Sequence, residues 1–368
     1  MLPYFRKTEY YCGPGKDEKQ HGYEGPVYTQ SVTSSGRKYP LREKVLSAWN
    51  SAGVQFNPDG NSGSPQGISE LVENLNDGAR QVSSTVYPLE GVTVMTSTLV
   101  ASIVLETCGP TKTAKGVRLA DGRIFAAKEE VILSAGAIAT PQILLLSGIG
   151  PANELASHGI EQLVDAPEVG KNLHGHMCAS QWWELRNPDQ GLSVGSANFN
   201  ADSLIKGFPG DWVITQTVPH DGLKKALATD DDLHPLLYPP RSHYEAFLVY
   251  VAANPSDPFI PRDGTHLTTT VMGLLPTSRG SIRLASRNPG DPPIFDPNYY
   301  ATEADRFVIR TALRKVTSVM TETTEGRAMV KAQGGRTLSS QSSDSDIDEL
   351  VRERGKYDTI HLMPIPRC

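Results

Sequence analysis

The stretch "GAIATPQILLLSGIG", Gly136 to Gly150, limits what this chain can become more than any other part of it. It follows "EEVILSA", whose short apolar run Val131–Leu133 reads as a buried strand. The chain would leave that strand through Ser134, Ala135, Gly136 and Ala137, which carry almost no side chain. A helix then starts with Thr140 as its N-cap and Pro141 at its first position, and Gly148 and Gly150 close it. Open α/β sheets bind ligands at the carboxyl ends of their strands. A helix start adds free N–H groups and the positive end of a dipole. The corner therefore suits close approach of a nucleotide or flavin to the main chain. The same residues also make a tight strand–helix connection with no ligand, and local pattern leaves both readings open.

The rest of the chain supplies the frame. Residues 1–65 are largely loop language, "CGPGKDEKQHGYEGP" and "NPDGNSGSP", around one helix in "PLREKVLSAWNSAG". That helix would bury Leu41, Val45, Leu46 and Trp49 and stop before Gly53. "GVTVMTSTLVASIVLE", from Gly91, alternates and is β-branched, so strands are expected. Asp121-Gly122 between two alternating runs predicts a hairpin. "PANELASHG" reads as a short helix ended by Gly159. From about residue 171, "SHYEAFLVYVAAN", "THLTTTVMGLLP" and "GSIRLASR" read as antiparallel strands. "ATEADRFVIRTALRKVTSVM" reads as a helix with Phe307, Ile309, Leu313 and Val316 facing a core, and Thr337–Glu349 as a polar surface segment. The expected class is mixed α/β (α+β), in two joined parts, 1–170 and 171–368.

Charge and composition narrow the partners. A formal net charge of −6 argues against nucleic acid, and no apolar run approaches the ~20 residues of a membrane span. The start, "MLPYFRKTEYY", lacks the apolar core of a signal peptide, which makes a cytoplasmic setting the expectation. Cys12, Cys108, Cys178 and Cys368 are scattered, with no CxxC and no zinc-like Cys/His spacing, so free thiols and no metal are expected.

At Gly136, Ala137, Thr140, Pro141, Ile143, Leu144, Ser147, Gly148, Ile149 and Gly150 the chain resembles the second signature of the glucose–methanol–choline (GMC) oxidoreductases, which are FAD-dependent. Other blocks follow in that family's order. "MLPYFRKTE" and "HGYEGPV" resemble the segment after its first flavin motifs. "VGKNLHGH", Val169 to His176, resembles its V-G-x-N-L-x-D-H, with Gly175 where Asp is usual. "PTSRGSIRLASRNPGDPPIFDPNYY", Pro276 to Tyr300, resembles the start of its C-terminal region. The resemblance implies an incomplete FAD-binding domain over 1–170, joined over 171–368 to a substrate domain built on an antiparallel sheet with helices. It implies that the backbone at Val100 meets the FAD adenine and that Ser134, Ala135, Gly136 and Ala137, with Thr140 behind them, lie against the dinucleotide. Asn172 and His176 would shape the wall between flavin and substrate. The implied reaction is oxidation of a small-molecule alcohol, with a role in secondary metabolism as a family-level expectation. A base takes the hydroxyl proton while hydride passes to the flavin.

Two departures from the family pattern qualify this. No GxGxxG occurs in a strand–turn–helix setting, since "GPG" at Gly13–Gly15 and "GIG" at Gly148–Gly150 lack the third glycine. The family's catalytic histidine lies in an H-P-x-G-T-like stretch, whereas here His361 stands near that place in "HLMPI". His361 is the candidate base, and the chain is expected to be truncated at both ends. A GMC-fold lyase or cyclase with structural FAD, and a remnant that binds no flavin, remain as alternatives.

Overall fold

The computed structural model describes residues 1–13, 15, 17–109, 111–199, 206–239 and 241–354. These gather into two compact units. One joins Met1–Glu90, Met177–Leu275 and the described residues from Glu303 onward; the other joins Gly91–His176 to Pro276–Thr302. A single cut after residue 170 therefore runs through the second unit. The reason lies in the ladder: Gly67–Glu70 hydrogen-bonds antiparallel to Trp212–Gln216, so the N-terminal stretch belongs to the later sheet.

That sheet organises the first unit. Its six strands run in the order Val330–Gly334, Cys178–Leu185, His266–Gly273, Tyr244–Val249, Trp212–Gln216, Gly67–Glu70, every neighbour antiparallel. Alternation puts Trp183, Leu267, Thr269, Val271, Ala246, Leu248, Ile214 and Ile68 on one face. The 20-residue helix Glu303–Glu322 packs there, burying Ile309, Leu313 and Val316 as its spacing predicts. Two polar side chains on this face donate to buried threonines, though the Gln181 Oε1 accepts from nothing among the described residues. Trp183 Nε1 donates to Thr269 at 2.7 Å, and Gln181 donates to Thr317 at 2.9 Å. Helix Arg42–Ser51 buries Val45, Ala48 and Trp49, and Gly53 beyond its end takes a φ of 86°.

Thr337–Glu349 lies mostly at the surface, as its serines and aspartates suggest, but three of its residues turn inward. Leu338, Ile347 and Asp348 are buried, and a helix runs Asp344–Arg354. An ion pair with a partner inside the unit explains this. Arg310, 6% exposed, holds Asp348 through two bonds of 2.7 and 2.6 Å and also reaches Glu303 and Asp344.

The second unit carries a three-stranded sheet, Val100–Cys108, Thr111–Leu119 and Ile124–Ala126. The expected hairpin is there: Arg118 pairs with Ile124 across Gly122, whose φ is 89°. Residues 91–99 are not a strand, despite their alternation, and Val92, Val94, Met95 and Leu99 are exposed. Val131–Leu133 is not one either. No described segment offers it a ladder, and Ile132 is 73% exposed. An apolar run becomes a strand only where neighbours take its N–H and C=O groups. Strand Ser281–Arg283 pairs with Ile294–Asp296 in this unit and stays out of the large sheet.

Candidate functional site

The helix after the bare corner begins earlier than its Thr-Pro pair suggests. It spans Gly136–Leu146 with Ala135 as N-cap, which places Thr140 and Pro141 inside it. Alanines at 137 and 139 favour helix, and Thr140 therefore caps nothing. Pro141, without an N–H, leaves the carbonyl of Ala137 without its usual intrahelical donor. The helix start has no side-chain cap and no acidic residue in its first turn, so its N–H groups and dipole are uncompensated. Ser134, Ala135 and Gly136 are exposed, while Ala137 and Thr140 are partly buried. Gly136 has a φ of 77°, and a Cβ there would meet nothing within 4 Å. The corner is bare, open and positively poised.

The other end of this helix is packed hard. Ser147 donates to the carbonyl of Ile143 at 2.6 Å and accepts from the N–H of Ile103 at 2.8 Å, which ties the helix to strand Val100–Cys108. A Cβ at Gly148 would lie 2.5 Å from the Glu161 carbonyl oxygen, and one at Gly150 2.5 Å from Leu145. These two glycines are there for close packing. Val100 opens its strand opposite Leu119. The register then slips before Ser102, a bulge that leaves Ala101 as the extra residue.

Two of the quoted sequence blocks meet. The Gly170 carbonyl accepts from Ile282 N–H at 2.6 Å, and Leu173 and Gly280 exchange both backbone bonds, at 3.2 and 2.7 Å. Gly170, at φ 80°, admits no side chain, because a Cβ would sit 2.3 Å from the Ile282 oxygen. Asn172 turns the chain at φ 59°, donates to Glu168 at 2.8 Å, and accepts from His174 through its carbonyl at 2.7 Å. A Cβ at Gly170 would lie 3.9 Å from Leu145. This loop therefore belongs to the far end of the helix, roughly 14 Å from Gly136 at 1.5 Å per residue. The structure groups Ser134–Ala137 at one end and Asn172 at the other. His176 is partly buried at the edge of the unit, and His361 lies outside the described residues.

Sequence reading missed one residue in the first unit. Glu245 stands mid-strand between Thr215 and Met272, on the face away from helix Glu303–Glu322. It is partly buried, and its side chain has no hydrogen-bond or ion partner among the described residues. Burial alone pushes its carboxyl above the usual carboxylate range. A glutamate within "HYEAFLV" was the only available signal.

Comparison with known proteins decides the lineage. Residues 1–178 and 276–364 match the N- and C-terminal halves of the GMC oxidoreductase family description. The chain belongs to the GMC oxidoreductase family. GMC-type oxidoreductase acuG of Aspergillus aculeatus is 39% identical over 361 residues, covering 96% of this chain and 65% of that protein. Oxygen-dependent choline dehydrogenase of Brucella anthropi is 28% identical over 96% of this chain and 62% of its own length. A solved formate oxidase of Aspergillus oryzae, in a study of FAD modification, superposes with a TM-score of 0.79 at 25% identity. That superposition covers 96% of this chain and 66% of the other. This GMC chain thus spans less than two thirds of the length of the curated relatives just named. FAD is the cofactor that family and solved neighbour support, and the mixed α/β architecture with a large antiparallel sheet agrees with them. No helix among the described residues is long and apolar enough to cross a membrane.

Proposed function

We propose that this GMC chain acts as an FAD-dependent oxidoreductase that oxidises a CH–OH group of a small organic alcohol. A place in secondary metabolism is the expectation carried from the sequence. The observation that carries the reading is the open corner at Ser134–Ala137, with its uncapped helix start and its empty approach at Gly136. Bound there, FAD would supply the hydride acceptor. The main chain at Ser134, Ala135, Gly136 and Ala137, with Thr140 one turn on, would hold the cofactor, and the backbone at the Val100 bulge would meet its adenine. Asn172 and His176 would help wall off the substrate. His361 is the proposed base for the hydroxyl proton. In this reading the unit of Gly91–His176 and Pro276–Thr302 serves the flavin, and the unit built on the six-stranded sheet serves the substrate.

Named relatives act on choline and formate by their names, and small polar carbinols are therefore the first substrates to try. The second reading is a family member that holds no flavin. Reconstitution with FAD, followed by anaerobic addition of an alcohol panel, separates the two. Bleaching of bound flavin by an alcohol supports oxidation. Protein that stays colourless after reconstitution removes the oxidoreductase reading. In an active preparation, His361→Ala that lowers turnover by more than about 100-fold, the scale of general-base catalysis, supports His361 as base. Unchanged turnover assigns the base elsewhere.

A further inference from the structure

A cleft of about 670 Å³ opens in the first unit, where strand Trp212–Gln216 ends and strand Tyr244–Val249 begins. That volume is in the range of small-ligand sites. The frame around it is fixed by His243, which is 5% exposed. Its Nδ1 accepts from the Val218 N–H at 3.1 Å and lies 3.0 Å from the Thr217 hydroxyl, and its Nε2 donates to the Leu236 carbonyl at 2.8 Å. Both ring nitrogens are thus used, one as acceptor and one as donor, which makes the ring neutral. Burial, together with the nearby Arg241 charge, holds its pKa below the ordinary histidine value, against the opposing bond to Leu236. His243 is a strut between the two sides of the cleft and has no hydrogen-bonding capacity left for a ligand.

The walls it braces are apolar. Val218 and Leu237 are buried, and Pro219 and Pro239 complete the lining with rigid rings. Two ionic side chains line it, Arg241 and Asp232, the latter spoken for by a lysine. Arg241 lines the cleft, and its Nε donates to the Pro235 carbonyl at 3.0 Å, which fixes the guanidinium. Its two terminal nitrogens have no partner among the described residues. The acids nearby are engaged: Asp232 pairs with Lys224 at 2.7 Å, with Asp230 and Asp221 also near that lysine, and His220 faces Asp221 at 3.3 Å. Gln66 is held too, donating to the Arg241 carbonyl at 3.1 Å. The cleft therefore offers an apolar slot with one unpaired, forked cation at its exposed edge, beside an Asp232 carboxylate already neutralised by Lys224.

We propose that this cleft binds a small aromatic carboxylic acid, with the ring against Val218, Pro219, Leu237 and Pro239 and the carboxylate on the guanidinium of Arg241. A planar carboxylate matches the fork bidentately, which lysine or histidine cannot offer. The site does not depend on flavin binding, so its test is independent of the redox reading. Isothermal titration of the full chain with 2-naphthoate, 2-naphthalenemethanol and 2-naphthylmethylamine reads the charge preference directly. The expected order is naphthoate tightest, the alcohol at least ten-fold weaker and the amine weakest. Arg241→Gln should weaken naphthoate at least ten-fold and leave the alcohol unchanged, with thermal unfolding confirming an intact fold. No saturable naphthoate binding, equal affinity in Arg241→Gln, or tighter binding of the amine would each overturn the proposal.

Discussion

Tyr250 donates its hydroxyl proton to Asp211 Oδ2 at 3.0 Å, and Oδ1 of the same carboxyl has no hydrogen-bond partner among the described residues. Asp211 is fully buried, and Tyr250 stacks on Tyr39 at 4.7 Å. Burial pushes the Asp211 carboxyl up to about 7, with the Tyr250 bond and the Arg42 charge opposing the rise. The folded state then binds a proton more tightly than the unfolded chain, whose aspartate titrates near 3.9. Stability falls as pH rises through that window and stays reduced above about 7. Asp211→Asn keeps the shape and removes the charge. Its melting temperature should match the wild type near pH 4 and exceed it by several degrees at pH 8. A variant less stable at pH 8 would show that the ionised carboxylate is wanted.

His21 shifts stability with pH in the same direction by the opposite means, because here the charged form is the one that is held. It is 3% exposed, stacks on Tyr11 at 3.7 Å, and lies 3.0 Å from Glu9 and 2.8 Å from Asp59 through its two nitrogens. Burial lowers its pKa, but the hydrogen bonds to Asp59 and Glu9 outweigh it, and the net shift is upward. The stabilisation is fully present below about 6.5, the unfolded value, and is lost as pH climbs through the raised folded value. His21→Ala should cost about 2–4 kcal/mol at pH 6 in urea unfolding. The gap to wild type should narrow toward pH 9; a gap that widens with pH refutes the clamp.

The Arg310–Asp348 pair joins two helices from inside the unit. Removing only the cation strands a buried carboxylate, so Arg310→Met should destabilise by about 3–5 kcal/mol. The double variant Arg310→Met with Asp348→Leu should recover most of that loss, because the orphaned charge goes too. Additive losses in the cycle would mean the two residues act separately.

Ile132 is 73% exposed, in a segment that pairs with no strand among the described residues. Such a stretch is an aggregation site. Ile132→Lys should reduce dye binding and light scattering on warming, while shifting stability by no more than ~0.5 kcal/mol. Unchanged scattering would place the exposed risk elsewhere, with Val92, Val94 and Met95 the next to test.

Much of this was legible in the chain because the signals were local. Asp121-Gly122 demanded a turn, the spacing of Ile309, Leu313 and Val316 demanded a buried helix face, and Gly148 demanded the end of the helix before it. What failed depended on partners distant in sequence. Val131–Leu133 has the composition of a buried strand but no described neighbour to pair with. Asp348 looks like surface until Arg310, far earlier in the chain, is placed beside it. Glu245 is silent in sequence because its significance is the lack of a partner, which only packing reveals. Thr140-Pro141 misplaced the helix start because the preceding alanines continue the helix without needing a cap.

The central claim is that the corner at Ser134–Ala137 takes a flavin nucleotide against its main chain, and quenching of FAD fluorescence on titration with the purified chain tests it most directly. Wild type should quench FAD saturably, and Gly136→Val, which fills the open approach and strains a φ of 77°, should weaken that binding at least ten-fold in protein that still unfolds cooperatively above the assay temperature, at a melting temperature lowered by the strain. No saturable quenching by wild type, or quenching that Gly136→Val leaves intact, would contradict it.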